Sequence, residues 1–311
     1  MLDIKKEQEK FIERCKNLKG LSDLTIKAYR IDLNQFSHFM RDRNYLNKND
    51  ISEYLSVLYR NYKPKSAKRK TACIKTFYKY METEEIIVNN PFHKITIKHK
   101  EPLMLPRTIP LSCIHNILRY AYEKYQTAQT MYQKEAALRN IITIELLFST
   151  GMRVSEVTQL NIQNIDLDEG TIHIMGKGNK ERIMCISDKK ICDMIHLYLV
   201  MRIKTRPYLL VNKLGNRLSQ QSIRNMLNEY AEATRAPMHI TPHMFRHTFA
   251  TELHNEDIDI RYIQQFLGHS SITTTQIYTH ISTGKAKAIL KAKHPRNKML
   301  LPISEILTSN L

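Results

Sequence analysis

Thr241-Pro242-His243-Met244-Phe245-Arg246-His247-Thr248-Phe249 starts a helix by every local signal it carries. Thr241 is an N-cap residue type, and Pro242 takes the first helical position, where its missing N–H costs nothing. His243 and Arg246 then share one face at i and i+3. They stand by the helix N-terminus, whose free N–H groups and partial positive charge attract anions. Phe245 and Phe249 fall on the face that a core would take. The stretch reads as a packed helix with a phosphate site at its start.

Working upstream, Thr150-Gly151-Met152-Arg153-Val154-Ser155-Glu156 follows an apolar helical run over residues 141–148. Gly151 is a C-cap type, and Ser155 or a neighbour starts the next helix. Arg153 is therefore expected in a bend between two rigid elements, with Glu156 placed to orient it. Residues 171–175 and 182–186 are β-type segments, with 166–170 as the turn into them. They are joined by Gly176-Lys177-Gly178-Asn179-Lys180-Glu181, a glycine-containing hairpin tip that can approach a backbone closely. Downstream, Ile260, Ile263 and Leu267 mark a buried stripe, Gly268 ends that helix, and His269 lies just past the cap. Tyr278 follows in Ile272-Thr-Thr-Thr-Gln-Ile-Tyr278-Thr-His280, a short polar segment with no core stripe that needs an aromatic.

The first hundred residues read as four short helices. The first carries Phe11, Ile12, Cys15 and Leu18 on one face. Ser22 caps the second, with Ile26, Tyr29, Leu33, Phe36 and Met40 inward. Asn49 or Asp50 caps the third, and Ser66 the fourth, whose stripe is Lys70, Ile74, Phe77 and Met81. Residues 89–110, with four prolines, look like an extended linker. The expected domains are 1–88, a linker at 89–110, and 111–311.

The 311 residues carry 48 Lys and Arg against 30 Asp and Glu, a net charge of +18. Residues 1–105 hold 22 basic and 13 acidic groups and residues 106–311 hold 26 and 17, so each part carries +9. Two basic parts suit one polyanion better than a basic tail would. No apolar run approaches the ~18 residues of a membrane span, and the first residues lack a signal-peptide core. Five scattered cysteines without a Cys-x-x-Cys pair argue against zinc and a disulfide framework, and for reduced thiols in a cytoplasmic protein, expected to be nucleoid-associated through its charge.

Two arginines, two histidines, a lysine and a tyrosine, without a carboxylate pair or metal box, suit phosphoryl transfer without a metal or other cofactor. This set resembles the catalytic signature of the tyrosine recombinases, the phage integrase family. Arg153, Lys177, His243, Arg246, His269 and Tyr278 match its six positions in order, and His294-Pro295-Arg296 resembles the end of Xer-type members. The resemblance implies a mainly α fold with a small β-hairpin sheet. An N-terminal four-helix, SAM-like core-binding domain and a catalytic domain would close as a C-shaped clamp on duplex DNA.

The resemblance further implies that Tyr278 forms a 3′-phosphotyrosyl link and that Holliday-junction exchange follows. Arg153, Arg246, His243 and His269 would stabilise the transition state, and Lys177 would protonate the leaving 5′-oxygen. Expected partners are double-stranded DNA with a specific core site, further copies in a synaptic tetramer joined through the C-terminal segment, and an accessory DNA-bending protein or partner recombinase. The apolar residues of 285–290 and 299–306 are expected to supply that docking. Thr25, Lys27, Lys65, Lys68, Arg69 and Lys180 are candidate DNA contacts, and Lys70 belongs to the same basic cluster.

Residues 120–139 and 297–311 run longer than the Xer pattern, which leaves two roles open: a mobile-element integrase or a resolver of replicon dimers. No arm-binding domain is expected ahead of the first bundle, so simple core sites fit best. Alternatives of other kinds are a tyrosine-class topoisomerase and a catalytically silent DNA-binding regulator; a metal-dependent nuclease fits less well, for want of clustered carboxylates.

Overall fold

The computed structural model describes residues 3–97, 107–175, 181–186, 188–202, 206–268, 283–299 and 301. They belong to two compact units, Met1–Met104 and Leu105–Leu311. Among the described residues no helix is long and apolar enough to cross a membrane.

The first unit is built on α1 (Ile4–Asn17), α2 (Asp23–Phe39), α3 (Lys48–Asn61) and α4 (Pro64–Thr83). Phe11, Phe36, Phe77 and Tyr78 are fully buried at its centre. Their rings meet at offset and edge-on angles, as Phe11 and Phe77 do at 5.5 Å, the geometry that aromatic quadrupoles favour. Ser22 caps α2 by accepting the Thr25 N–H. Three local expectations are corrected. Asn47, rather than Asn49 or Asp50, caps α3, because its side chain reaches the Asn49 N–H. α4 starts at Pro64 rather than after Ser66, since proline fits the first helical turn. Leu18 is 77% exposed, because α1 stops at Asn17 and the chain turns at Gly20 with φ +56°.

Lys70 is the polar member of an otherwise apolar stripe, and the fold answers it with a buried acid. Its ammonium donates to Asp32 at 2.9 Å and to Gln35 at 2.6 Å. Arg69 forks onto the same Asp32 carboxylate, which is wholly buried. Within residues 89–110, Pro91–Lys94 form a turn of 3-10 helix that buries Phe92 in the first core. Ile109 is buried in the second core, and its N–H donates to the Thr248 hydroxyl at 2.8 Å.

The second unit forms around one long helix. α5 (Leu111–Gln126) leads to α6 (Met131–Thr150), which opens with a capping box between Thr130 and Gln133. From Ile141 to Thr150 every residue of α6 is buried, so this half is a central helix rather than an amphipathic one. α5, α8 (Lys189–Met201) and α10 (Pro242–Asn255) pack around it. A short helix α7 (Val154–Gln159) follows α6 and leads into an antiparallel sheet in the order β1 (Ile165–Asp166), β2 (Thr171–Met175), β3 (Glu181–Cys185). Ile174 faces Arg182 and Met175 faces Glu181 across the hairpin.

Helices α9 (Gln220–Ala233), α11 (Ile260–Leu267) and α12 (Thr283–Lys293) complete the unit. In α11 the buried residues are Ile263, Phe266 and Leu267; Ile260, expected inward, is 59% exposed, since this eight-residue helix meets the core only with its later turns. After α12 the chain turns back into the core. His294 donates from Nε2 to the Ser149 carbonyl at 2.9 Å and accepts the Arg296 N–H at Nδ1. Arg296 closes on buried Glu145, which also accepts the Tyr122 hydroxyl. Leu290 and Met299, expected to dock on a neighbour, are buried in this chain's own core, and residues 302–311 lie outside the described residues.

Candidate active site

Arg153 stands where the sequence puts it, in the bend between α6 and α7. Gly151 ends α6 with φ +61°, and a Cβ there would meet the Phe249 ring of α10 at 2.5 Å. Glycine thus serves both the left-handed turn and the close approach of two helices. Arg153 is the N-cap of α7. Glu156, at the third helical position, accepts its backbone N–H at 2.7 Å and its Nη1 at 2.9 Å. Glu156 thus holds Arg153 by both its backbone and its side chain.

Arg246 lies one turn into α10 and is buried. Its Nη1 donates to the Gly151 carbonyl at 2.9 Å and its Nη2 to the Leu267 carbonyl at 2.5 Å. These are carbonyls at the ends of α6 and α11, groups a helix cannot satisfy by itself. Both helices end on left-handed glycines, Gly151 and Gly268. One guanidinium thus joins two helix ends. Burial, and then the positive charge of Arg153, push its pKa down to about 10 against the pull of Glu156. The charge that Arg246 lacks is an anion.

His243 starts the same helix with its outer side exposed. Partial burial, followed by the charges of His247, Arg246, Arg224 and Arg153, holds its pKa below the ordinary histidine value. It is a neutral imidazole at neutral pH, able to accept a proton. Arg224 comes from α9, so two helices, α9 and α10, and the α6–α7 bend face one region.

Arg182 is the residue that sequence reasoning missed. From β3 it forks onto Glu156, Nη1 to Oε1 at 3.1 Å and Nη2 to Oε2 at 2.8 Å. A signal was present. Strand alternation puts Arg182 in phase with buried Met184, while Ile183 between them is 43% exposed. An arginine on the inward face of a strand needs a buried partner. Two guanidiniums, those of Arg153 and Arg182, thus share one carboxylate, while Arg246 feels its charge without bonding it, and this surplus of positive charge suits a phosphate.

Lys177, Lys180, His269 and Tyr278 lie outside the described residues. Met175 pairs with Glu181 across the strands, and α11 ends at Gly268. Of the candidate DNA contacts in the first unit, Lys27, Lys65 and Lys68 are exposed on α2 and α4. Thr25 is bonded to the Ser22 hydroxyl at 2.9 Å, and Arg69 is held by Asp32 yet remains 45% exposed. Lys70 points inward instead, since Asp32 neutralises it there. Among the described residues no three His, Cys, Asp or Glu side chains cluster as a metal site.

Residues 120–285 match the phage integrase family model, and residues 9–85 match the model for the phage integrase N-terminal SAM-like domain. A tyrosine recombinase from Agathobacter rectalis is 46% identical over 291 residues, 92% of this chain and 95% of that protein. Tyrosine recombinase XerC of Staphylococcus epidermidis is 32% identical over 305 residues, 94% of this chain and 98% of that one. Two solved structures share the fold. The XerH site-specific recombinase bound to its difH substrate aligns with a TM-score of 0.64 at 23% identity, over 90% of this chain and 82% of that chain. The Tn1549 transposon integrase in complex with transposon right-end DNA gives 0.63 at 16% identity, over 94% and 99%.

Proposed function

The chain belongs to the phage integrase family of tyrosine recombinases, enzymes that break and rejoin DNA, and from that membership we propose the residues and steps by which it works. Tyr278 attacks the scissile phosphorus, forming a 3′-phosphotyrosyl bond as the bond to the 5′-oxygen breaks. A phenol has an ordinary pKa near ~10, so it needs a base, and neutral His243 takes its proton. Lys177 gives a proton to the leaving 5′-oxygen. Arg153 and Arg246 neutralise the non-bridging oxygens as charge builds there, and His269 adds a hydrogen bond. The free 5′-hydroxyl of a partner duplex then attacks the phosphotyrosine. One phosphoester is exchanged for another, so no nucleotide is spent.

The observation that carries this reading is the fastening of Arg246. Both its terminal nitrogens are fixed on backbone carbonyls in a region it shares with Arg153, so the site is set before substrate arrives. Preset donors stabilise a transition state without reorganising. The basic charge of both units and the DNA-bound state of XerH and the Tn1549 integrase support duplex DNA with a core site as substrate. Four copies synapse through residues beyond Leu301. Integration, excision and dimer resolution are one strand exchange on differently placed sites, and pairing cloned sites in direct or inverted order shows which products form.

The test is Tyr278→Phe. It should bind duplex DNA as the wild type does and form no covalent protein–DNA complex on denaturing gels. Covalent complex at the wild-type level would overturn the assignment.

A further inference from the structure

Glu156 holds two guanidiniums, and its acceptor positions run out. A carboxylate offers about four. At Oε2 they are taken by the Arg153 backbone N–H (2.7 Å) and Arg182 Nη2 (2.8 Å), and at Oε1 by Arg153 Nη1 (2.9 Å) and Arg182 Nη1 (3.1 Å). Arg182 thus fills two of the four. Its side chain is 12% exposed, while that of Arg153, held on Glu156 by Nη1, keeps 36% exposure.

We infer that Arg182 is a positioning residue of the cleavage site: it occupies the Glu156 acceptors that would otherwise close on Arg153 as a fork, and so leaves the outer edge of the Arg153 guanidinium to the phosphate. The inference rests on the proposed role of Arg153. A guanidinium and a carboxylate match as two parallel hydrogen bonds, the strong form of this pair. Without Arg182, Arg153 would be the nearest fork to fill the vacated positions, and it would turn from substrate toward Glu156.

Its place in the fold suits this role. Arg182 is the second residue of β3. It also lies against Gly268, where an added Cβ would fall 2.8 Å from the Arg182 Cδ. The strand, the α6–α7 bend and the end of α11 therefore meet on one side chain. The Glu156 carboxyl stays ionised there. Burial pushes its pKa up, but hydrogen bonds and charge from Arg182 and Arg153 outweigh this and hold it below the ordinary glutamate value.

The experiment uses the full chain and a nicked duplex that the wild type selects from a randomised pool. Arg182→Ala should bind this duplex with affinity close to wild type and form covalent complex roughly 10- to 100-fold more slowly, the worth of one charged hydrogen-bond partner. Arg182→Lys should recover part of the rate, because it keeps the charge and loses the fork. Arg182→Ala with Glu156→Gln should cleave faster than Arg182→Ala alone, because glutamine has one acceptor oxygen and cannot grip Arg153 as a fork. A purely structural arginine would show that reversal in the urea unfolding midpoint; a positioning one shows it in the single-turnover cleavage rate of fully folded protein.

Cleavage by Arg182→Ala at the wild-type rate, or a double variant slower than the single, would overturn the inference. Should Arg182→Ala fail to fold, Arg182→Lys with and without Glu156→Gln carries the same comparison. Tyr278→Phe is run beside them. If it forms covalent complex, the reading of the site fails; if it is inert while Arg182→Ala runs at full rate, only the role of Arg182 fails.

Discussion

Arg296 closes on Glu145 through three hydrogen bonds of 2.9, 2.9 and 3.2 Å, across 151 residues of chain and almost wholly out of water. Burial would lower the arginine pKa, and the Glu145 carboxylate more than offsets this and holds it above the ordinary value. The pair fastens the end of the described chain to α6. Arg296→Ala should cost about 3–5 kcal/mol, because it strands a buried carboxylate. Arg296→Met combined with Glu145→Met should cost less than that single change. Urea unfolding of the three proteins checks the order; a double variant less stable than Arg296→Ala would contradict it.

His294 makes the same fastening sensitive to acid. Its neutral ring is matched by an acceptor at Ser149 and a donor at Arg296, so a second proton would set two N–H groups against each other. Burial first, then Arg296, pushes its pKa down to about 4. The unfolded ring takes up its proton near ~6.5, so between these values the unfolded chain binds more protons than the folded one. The contribution is full above about pH 6.5 and is lost as pH falls toward 4, on the order of 3 kcal/mol. Melting temperatures measured from pH 7.5 to 5 should fall, and fall less in His294→Gln.

Arg246→Lys tests the doubled role of that side chain. An ammonium keeps the charge and cannot reach two carbonyls as a rigid fork. It should lower stability by about 1–3 kcal/mol, from carbonyls left unpaired, and slow covalent-complex formation roughly 100-fold. Calorimetry and a cleavage time course measure the two effects separately.

Gly151→Ala should destabilise by about 1–3 kcal/mol, since its Cβ would strike the Phe249 ring and its backbone is left-handed. Pairing it with Phe249→Leu should return part of that loss. No recovery in thermal unfolding would place the whole cost in the backbone.

Taking Arg69 as a DNA contact, a role proposed for it here, Asp32→Asn should weaken duplex binding, because Arg69 loses the carboxylate that fixes it. It also leaves the Lys70 ammonium buried without a counter-charge, at a cost of about 2–4 kcal/mol. Arg69→Ala should weaken binding with a smaller loss of stability. Equal unfolding midpoints for the two variants would contradict this.

What could be read from the chain was local. The His243–Arg246 spacing, the glycine caps at 151 and 268 and the hairpin around Lys177 follow from periodicity and turn chemistry acting over a few residues. The pairing of Arg182 with Glu156 spans 26 positions, and no local rule reports it. Lys70 was legible as an oddity in its stripe, but Asp32 lies 38 residues away. Leu18 and Ile260 had the right spacing and sit where their helices leave the core, a boundary that tertiary packing sets. Asn47 won its cap by reach and Pro64 its place as the first residue of α4 by a preset φ, against neighbours of equally suitable type.

One arginine finishes two helices and, in the proposed mechanism, also faces the reacting phosphate. Any lineage that lost the need to cut DNA would still be punished for losing Arg246, because the fold would loosen with it. Its persistence in a relative is therefore no witness to activity; a silenced descendant would betray itself first at positions that hold nothing else together.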